Sequence, residues 1–155
     1  MRDAGQGRVV NISSIYGLTT TPFSGWYQAC KHALEAVSDA LRLEVARDGV
    51  RIVKIVMIEP GGIQTGIWDE FEHDIHRHSR SNHEAGYQRV CRLLTAHSRF
   101  MGEPEGVARC VGKALTARSP RPRYLVGHAA QVIVAVQPLI PTDLRDRITR
   151  LVTGL

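Results

Sequence analysis

Tyr27 and Lys31 are the two residues of this sequence whose types and spacing best suit proton transfer. Side chains four residues apart share one face of a helix. A lysine ammonium near a phenol stabilises the phenolate, and a tyrosine in that setting can give or take a proton near neutral pH. Taken alone, the pair is more typical of an exposed tyrosine and lysine that have no role, because such pairs are common on helices.

Two further segments place polar residues or glycines where strands are predicted to end. Ser14 follows the apolar, β-branched segment 8–13 (RVVNIS), which predicts a buried strand. Residues 51–58 (RIVKIVMI) predict a second strand, which we expect to stop at the sequence PGG of residues 60–62. Ligands of open α/β sheets bind at the carboxyl ends of strands. A serine hydroxyl there can donate to a substrate oxygen, and glycines there let a ligand approach the backbone. Alternatively, Ser14 only terminates its strand.

The elements around these residues alternate between strand and helix. Segment 27–46 predicts a long amphipathic helix, and its apolar residues recur at helical intervals: Cys30, Ala33, Leu34, Val37, Leu41 and Val45. A helix over 103–117, a strand over 123–126 and helices over 129–140 and 142–151 are also predicted. This alternation implies parallel β-α-β units. We therefore predict one partial α/β domain over 1–155, with a polar segment of short helices and loops at 67–101 and a helical extension at 128–155.

The composition restricts the partners of the chain. The formal charge of +5 comes from 20 Lys and Arg against 15 Asp and Glu, which favours anionic ligands such as nucleotides. The arginines are scattered and aromatic residues make up only 6%, so nucleic acid is not predicted as a partner. Three cysteines with no metal-binding spacing favour reduced thiols and a cytoplasmic protein.

Three weaker features lie between residues 67 and 140. A histidine cluster lacks a recognised ligand spacing, so we predict a solvated face and no metal site there: His73, His76, His78 and His83. Ile67, Trp68 and Phe71 either line an apolar pocket or make ordinary packing contacts. Segment 124–140 either docks on a membrane surface or, by default, forms a packed helix.

Three motifs in register closely resemble the short-chain dehydrogenases/reductases. They are Asn11-Ile12-Ser13-Ser14, Tyr27-x-x-x-Lys31 and Pro60-Gly61-Gly62-Ile63-Gln64-Thr65. Their order and spacing fit the family's Ser, Tyr-x-x-x-Lys and Pro-Gly-x-Ile/Val-x-Thr elements. The resemblance runs to about residue 127, and less specifically to the end. Glu59 and the apolar C-terminal extension look most like the hydroxysteroid and retinol dehydrogenase branch.

The resemblance implies an NAD(P)-dependent oxidoreductase that interconverts an alcohol with a ketone or aldehyde on a hydrophobic small molecule. Tyr27 would be the general acid/base, and Lys31 would bind the nicotinamide ribose hydroxyls. Ser14 would orient the substrate oxygen. The residues that would border the nicotinamide of NAD or NADP are Pro60, Gly61, Ile63 and Thr65.

The sequence also departs from the family pattern. The family opens with a strand, a Gly-rich turn and a helix that binds the pyrophosphate. Gly5-x-Gly7 is too short for that turn and no strand precedes it. We therefore expect the C-terminal part of a Rossmann-like, doubly wound parallel sheet without the N-terminal Gly-rich β-α-β unit.

Two expectations concern association. In the family, the helix at 27–46 often pairs with its copy, so a homo-oligomer is expected; the alternative is that its apolar face packs only within its own core. A truncated, catalytically inactive relative that acts as an interaction module through this helix is the alternative to an enzyme.

Overall fold

Three parallel strands form the sheet of this protein. The computed structural model describes residues 1, 6–47, 53–68, 70, 73, 82–97 and 101–154. The strands are β1 (Gly7–Ile12), β2 (Val53–Pro60) and β3 (Arg123–Val126), in the spatial order β1-β2-β3. Ile58 of the central strand lies opposite Ile12 on one side and Tyr124 on the other. The predicted parallel β-α-β arrangement is therefore confirmed.

Five α-helices and two 3-10 helices accompany the sheet in the described residues. A 3-10 turn covers Ile15–Gly17, and the α-helices are α1 (Gly25–Arg47), α2 (Glu84–His97), α3 (Pro104–Thr116), α4 (His128–Val136) and α5 (Thr142–Thr153). A second 3-10 turn, Gln137–Leu139, contains Pro138, so the helix predicted over 129–140 ends early. Within 67–101, where short helices were expected, α2 is 14 residues long.

The end of β2 differs from the prediction. The strand continues through Pro60, which lies opposite Val126, although we expected it to stop at 60–62. Proline has no N–H to donate, so it is tolerated as the last residue of a strand. The pairing then passes to Gly61, whose N–H donates to the Val126 carbonyl oxygen at 2.9 Å.

The two faces of the sheet are covered by different helices. Val56 and Ile58 of β2 pack with Ala114 of α3 in the apolar core. Successive side chains of a strand point to opposite faces. Met57 and Glu59 consequently face the other side, where α1 lies against β2. This alternation decides which strand residues can contact the helix that carries Tyr27 and Lys31.

The face of α1 that packs on the strands is polar. Its buried residues are Gln28, Glu35 and Ser38. Each has a hydrogen-bond partner outside the helix, as in the bond of 2.8 Å from Asn11 Nδ2 to Ser38 Oγ. Such partners remove most of the cost of burying polar groups.

The apolar residues predicted to define the face of α1 lie elsewhere. Val37 is 63% exposed, and Cys30, Ala33 and Leu41 are also exposed. In the described part of the chain, these residues do not pack in the core. They therefore do not support the alternative in which the apolar face of α1 packs only within its own chain.

Candidate active site

Ser14 lies at the carboxyl end of β1, as predicted. The Ser13 N–H still donates to the Ile58 carbonyl oxygen at 2.7 Å, so the strand pairing reaches the residue before it. Ser14 is buried and caps the 3-10 turn: its Oγ accepts a hydrogen bond of 3.2 Å from the Tyr16 N–H. A hydroxyl that accepts one bond still has its own hydrogen to donate. Ser14 can therefore donate to a ligand oxygen at this edge of the sheet.

Tyr27 and Lys31 lie together near the start of α1. The Lys31 Nζ is 5.5 Å from the centroid of the Tyr27 ring and donates to the Ile12 carbonyl oxygen at 3.0 Å. Tyr27 is 41% exposed, so its ring is accessible beside a fixed ammonium group. The lysine thus connects the end of β1 with the face of the tyrosine.

Tyr16 is a site residue that the sequence analysis missed. Its ring meets the Tyr27 ring edge to face, with centroids 6.2 Å apart and an interplanar angle of 86°. Its backbone N–H is the donor to Ser14 Oγ. Tyr16 therefore contacts two of the three predicted catalytic residues, Ser14 and Tyr27. The available signal was an aromatic residue in a loop of small polar residues directly after a strand.

The turn after β2 is held by backbone hydrogen bonds to a distant segment. The Gly102 N–H donates to the Gly62 carbonyl oxygen at 3.0 Å, and the Gln64 N–H donates to the Gly102 carbonyl oxygen at 3.0 Å. Ile63 is half-buried opposite Gly102, while Thr65 is exposed. These backbone hydrogen bonds hold the turn in place without a ligand.

Gly61 has a packing role in addition to the expected one. A Cβ on Gly61 would lie 3.1 Å from the Cβ of Ala130 in α4 and 3.5 Å from the Val126 carbonyl oxygen. Sequence reasoning assigned this glycine to close approach of a ligand. In the structure α4 also approaches this position closely, so a side chain at residue 61 would crowd Ala130.

The sheet register relates the two halves of the predicted site. Ile12 and Ile58 are opposite each other, and Ser14 and Pro60 each follow two residues later. The structure thus brings Ser14, Tyr27 and Lys31 together through Tyr16 and Ile12, and ends the neighbouring strand at the same edge with Pro60 and Gly61. Thr65 lies further along the turn.

Behind this edge lies an ion-pair cluster formed by Glu35, Asp39, Arg42, Glu59 and Arg123. Arg123 Nη1 donates to Glu35 Oε2 at 2.5 Å and also to Glu59 Oε1, while Nη2 donates to Asp39 Oδ2 at 2.7 Å. Arg42 Nη2 donates to the other Asp39 oxygen at 2.8 Å. In the sequence, Glu59 is distinguished only by its likeness to the hydroxysteroid and retinol dehydrogenase branch.

The environment of the cluster changes the pKa values of its members in different directions. Burial, the largest cause, raises the pKa of Glu59, and the nearby Glu35 adds to this while Arg123 opposes it. The hydrogen bond from Arg42 lowers the pKa of Asp39, and Arg123 lowers it further. Burial opposes the charge on Arg123, but hydrogen bonds to Glu59, Glu35 and Asp39 leave its pKa raised.

The structure describes only some of the residues in the histidine cluster and in the apolar group at residues 67–71. His73 and His83 are exposed, and His76, His78 and Phe71 lie outside the described residues. Among the described residues, no group of three or more His, Cys, Asp and Glu side chains could hold a metal ion. The described helices include none with the length and apolar character needed to cross a membrane. Trp68 Nε1 donates to the Ile63 carbonyl oxygen at 2.6 Å and so ties segment 67–101 to the turn.

Comparison with known proteins gives the same assignment as the motifs. The sequence profile described as short chain dehydrogenase matches residues 1–76. An NADPH-dependent 3-dehydrocapnine reductase of Ornithobacterium rhinotracheale is 33% identical over 143 residues, covering 92% of this chain and 50% of that protein. The chain belongs to the short-chain dehydrogenase family.

Other relatives agree with this. Retinol dehydrogenase 16 of Mus musculus is 34% identical to this chain over 154 residues, covering 91% of the chain and 47% of the relative. The crystal structure of a short-chain dehydrogenase from Streptomyces avermitilis superimposes with a TM-score of 0.69 at 26% identity, covering 97% and 52% of the two chains. The predicted Rossmann-like α/β class is confirmed. The chain spans about half the length of the curated relatives it matches.

Proposed function

We propose that this short-chain dehydrogenase interconverts an alcohol with a ketone or aldehyde by using a nicotinamide cofactor, with Tyr27 as the general acid/base. The observation that carries the proposal is the position of Tyr27: its exposed ring lies beside the Lys31 ammonium and against Tyr16, whose N–H binds Ser14. Three polar groups of different chemistry are thus held at the carboxyl end of one parallel strand, where ligands of such sheets bind.

Each group has one task in the proposed reaction. In carbonyl reduction, Tyr27 donates its proton to the substrate oxygen, and in alcohol oxidation it accepts the proton. The positive charge of Lys31 stabilises the phenolate that remains after donation. Ser14 donates a hydrogen bond to the same substrate oxygen, which fixes its orientation and favours the developing negative charge.

The residues at this edge fit a nicotinamide cofactor, which when bound supplies or accepts the hydride. Lys31 Nζ has three N–H donors and spends one on the Ile12 carbonyl oxygen, which leaves donors for ribose hydroxyls. Four residues at the end of β2 and in the turn after it border the nicotinamide in this proposal: Pro60, Gly61, Ile63 and Thr65. The NADPH-dependent relative supports NADP, and NAD is the alternative.

A hydrophobic substrate is the second part of the proposal. Retinol dehydrogenase 16, whose name refers to an apolar alcohol, is among the relatives. Ile67 is 54% exposed just beyond the turn, where it is available to contact an apolar ligand. Fold alone does not fix a substrate, so this part needs its own assay with apolar and polar carbonyl compounds.

The decisive experiment compares Tyr27→Phe with the matched variant Tyr124→Phe. Tyr124 is in β3, and its hydroxyl binds the Arg121 N–H. With NADPH and an apolar aldehyde such as retinaldehyde, Tyr27→Phe should lower kcat by about 10²–10⁴-fold, the usual contribution of general acid/base catalysis. Binding of NADPH, followed by its fluorescence, should persist. Turnover by Tyr27→Phe at the rate of Tyr124→Phe would rule out this role.

The alternative function, an inactive interaction module, has support from the outer face of α1. Cys30, Ala33, Val37 and Leu41 follow one another at intervals of three or four residues, and all four are exposed. A contiguous exposed apolar stripe of this kind marks a contact surface. We propose that α1 mediates self-association whether or not the chain is catalytic. Sedimentation of the wild type and Val37→Glu tests this, and a monomeric wild type would contradict it. NADPH binding with turnover would exclude the inactive alternative.

A further inference from the structure

Arg123 joins three elements that meet beneath the proposed site. It extends from β3, and its guanidinium binds Glu59 of β2 together with Glu35 and Asp39 of α1. Glu59 is completely buried and Glu35 is 5% exposed. Both carboxylates bind the same nitrogen, Nη1. One side chain thus connects two neighbouring strands with the helix that carries Tyr27 and Lys31.

The members of this cluster are adjacent to catalytic and turn residues along the chain. Glu59 immediately precedes Pro60, the first residue of the proposed nicotinamide border. Glu35 follows Lys31 by four residues on the same face of α1, so it lies one turn below it. A shift of either carboxylate therefore moves part of the site directly.

Gly17 connects the cluster with the Ser14 loop. A Cβ on Gly17 would lie 2.8 Å from Glu35 Cγ, 2.9 Å from Ser13 Oγ and 3.1 Å from Glu35 Oε1. Glu35 and Ser13 therefore both pack against the buried end of the 3-10 turn that begins after Ser14. The carboxylate of Glu35 reaches Arg123 at one side and the serine loop at the other.

Stability alone gives a poor account of this arrangement. Among the described residues, Ser13 Oγ, Glu35 Oε1 and Glu59 Oε2 are buried without a protein hydrogen-bond partner. Two buried carboxylates share one guanidinium nitrogen, although apolar side chains of similar size often replace buried ion pairs without loss of stability. Charged hydrogen bonds are directional and apolar contacts are not. A guanidinium therefore holds a carboxylate within a narrow range of positions.

We propose that Glu35, Glu59 and Arg123 are positioning residues, which hold the ends of β1 and β2 in register with α1 so that Ser14, Tyr27 and the turn at Pro60 converge on one substrate. This inference rests on the proposed function for its catalytic consequence. The cluster itself touches neither substrate nor cofactor. Its effect is geometric, and misplacing a reacting group by about 1 Å costs about 10²-fold in rate.

The test compares Glu59→Gln and Arg123→Lys with Asp39→Asn. Asp39 binds the same arginine, but its side chain is 41% exposed, so it is the matched control. For Glu59→Gln and Arg123→Lys, we expect kcat to fall by about 10–10²-fold with KM changed by less than about 3-fold. Asp39→Asn should remain within about 3-fold of the wild type in both constants, because an exposed pair contributes little.

A second measurement does not require turnover. Hydrogen exchange is followed at the Ser13 and Gly61 amides, which donate to Ile58 and Val126 respectively. In Glu59→Gln and Arg123→Lys, exchange at these two strand ends should accelerate by about tenfold or more, while amides in the middle of α3 keep their rates. Uniform acceleration that includes α3 would show a merely structural role and overturn the proposal.

A variant without the charges of the cluster distinguishes an effect on positioning from an effect on stability, even if the single variants fold poorly. The triple variant Glu35→Met, Glu59→Met and Arg123→Met replaces two buried carboxylates and a half-buried guanidinium with apolar side chains of similar size, so its free energy of unfolding should stay near that of the wild type. Its kcat should nevertheless remain low. Wild-type turnover by the triple variant would overturn the proposal. If the wild type itself has no turnover that depends on Tyr27, the proposed function fails, and the exchange pattern still decides whether the cluster holds the strand ends.

Discussion

Lys31 holds Tyr27 and the end of β1 in one fixed arrangement: its Nζ lies 5.5 Å from the centroid of the Tyr27 ring while donating to the Ile12 carbonyl oxygen at 3.0 Å. The ammonium thus has two partners of different kinds, a phenol ring and a strand carbonyl. Its position depends on the packing of α1 against β1 and not only on the spacing of residues along the helix.

The first prediction concerns the charge of Lys31. Lys31→Met keeps most of the side-chain length but removes the cation that favours the phenolate. We expect kcat for carbonyl reduction to fall by about tenfold or more, because the phenolate that remains after proton donation loses its stabilising charge. NADPH binding, measured by fluorescence, should weaken as well. Lys113→Met, on the exposed side of α3, is the control and should leave both readouts unchanged. Wild-type kcat in Lys31→Met would contradict the assignment.

Tyr16 should matter through its ring and not through its hydroxyl. The edge-to-face contact with Tyr27 has the geometry of an aromatic pair worth about 0.5–1.5 kcal/mol beyond area burial. Tyr16→Ala should therefore lower kcat, because Tyr27 loses its lateral support, and should reduce the free energy of unfolding measured in urea. Tyr16→Phe preserves the ring contact and should behave like the wild type. Equal kcat values for the two variants would argue against this support.

Gly17 should tolerate no side chain. An alanine Cβ would meet Glu35 and Ser13 at distances below 3.0 Å, and both neighbours are buried. We expect Gly17→Ala to lower the free energy of unfolding by about 1–3 kcal/mol, the usual cost of overpacking. Gly112→Ala is the matched control, because a Cβ there meets nothing within 4 Å on the exposed side of α3. That variant should gain about 0.5–1 kcal/mol from helix propensity. Denaturant unfolding of both proteins tests the contrast.

The charge cluster should make stability depend on pH in a predictable direction. Burial raises the pKa of Glu59, so the folded state binds its proton more tightly than the unfolded state does. The stability from this group is complete below the ordinary glutamate pKa and is lost as pH rises through the raised value. As the pH rises through that window, the unfolding free energy of Glu59→Gln should therefore fall less than that of the wild type. A fall as steep as that of the wild type would contradict the prediction.

Asp39 should act in the opposite sense within the same cluster. Its pKa is lowered, chiefly by Arg42 and also by Arg123, so its stabilising effect is present above the ordinary aspartate pKa and is lost as pH falls. The groups facing Glu59 and Asp39 are Glu35, Arg42 and Arg123. Urea unfolding of Glu59→Gln and Asp39→Asn between about pH 2 and 8 separates the two contributions, because the slopes should differ from that of the wild type at opposite ends of the range.

Local patterns were sufficient for the strands and for the central pair of residues. Segments 8–13 and 51–58 are short, β-branched and apolar, and this composition suits strands buried on both faces. The four-residue spacing of Tyr27 and Lys31 fixes their common helical face wherever the helix packs. Three motifs in order then indicated the family. These features are encoded within short stretches of chain, so the sequence by itself determined them.

The tertiary structure decided which face of α1 turns inward. Apolar periodicity marked Val37 and Leu41, yet Gln28, Glu35 and Ser38 are buried, because their hydrogen-bond partners come from other elements. The partner of Glu35 is Arg123, which lies 88 residues later in the chain. No local pattern specifies such a contact, since it depends on the register of β3 against β2 and on how closely α1 approaches both. The sequence determined that a tyrosine and a lysine share one helical face, and only the packing of that face on the strand ends gave them Tyr16, Ile12 and a cluster of buried charges as neighbours.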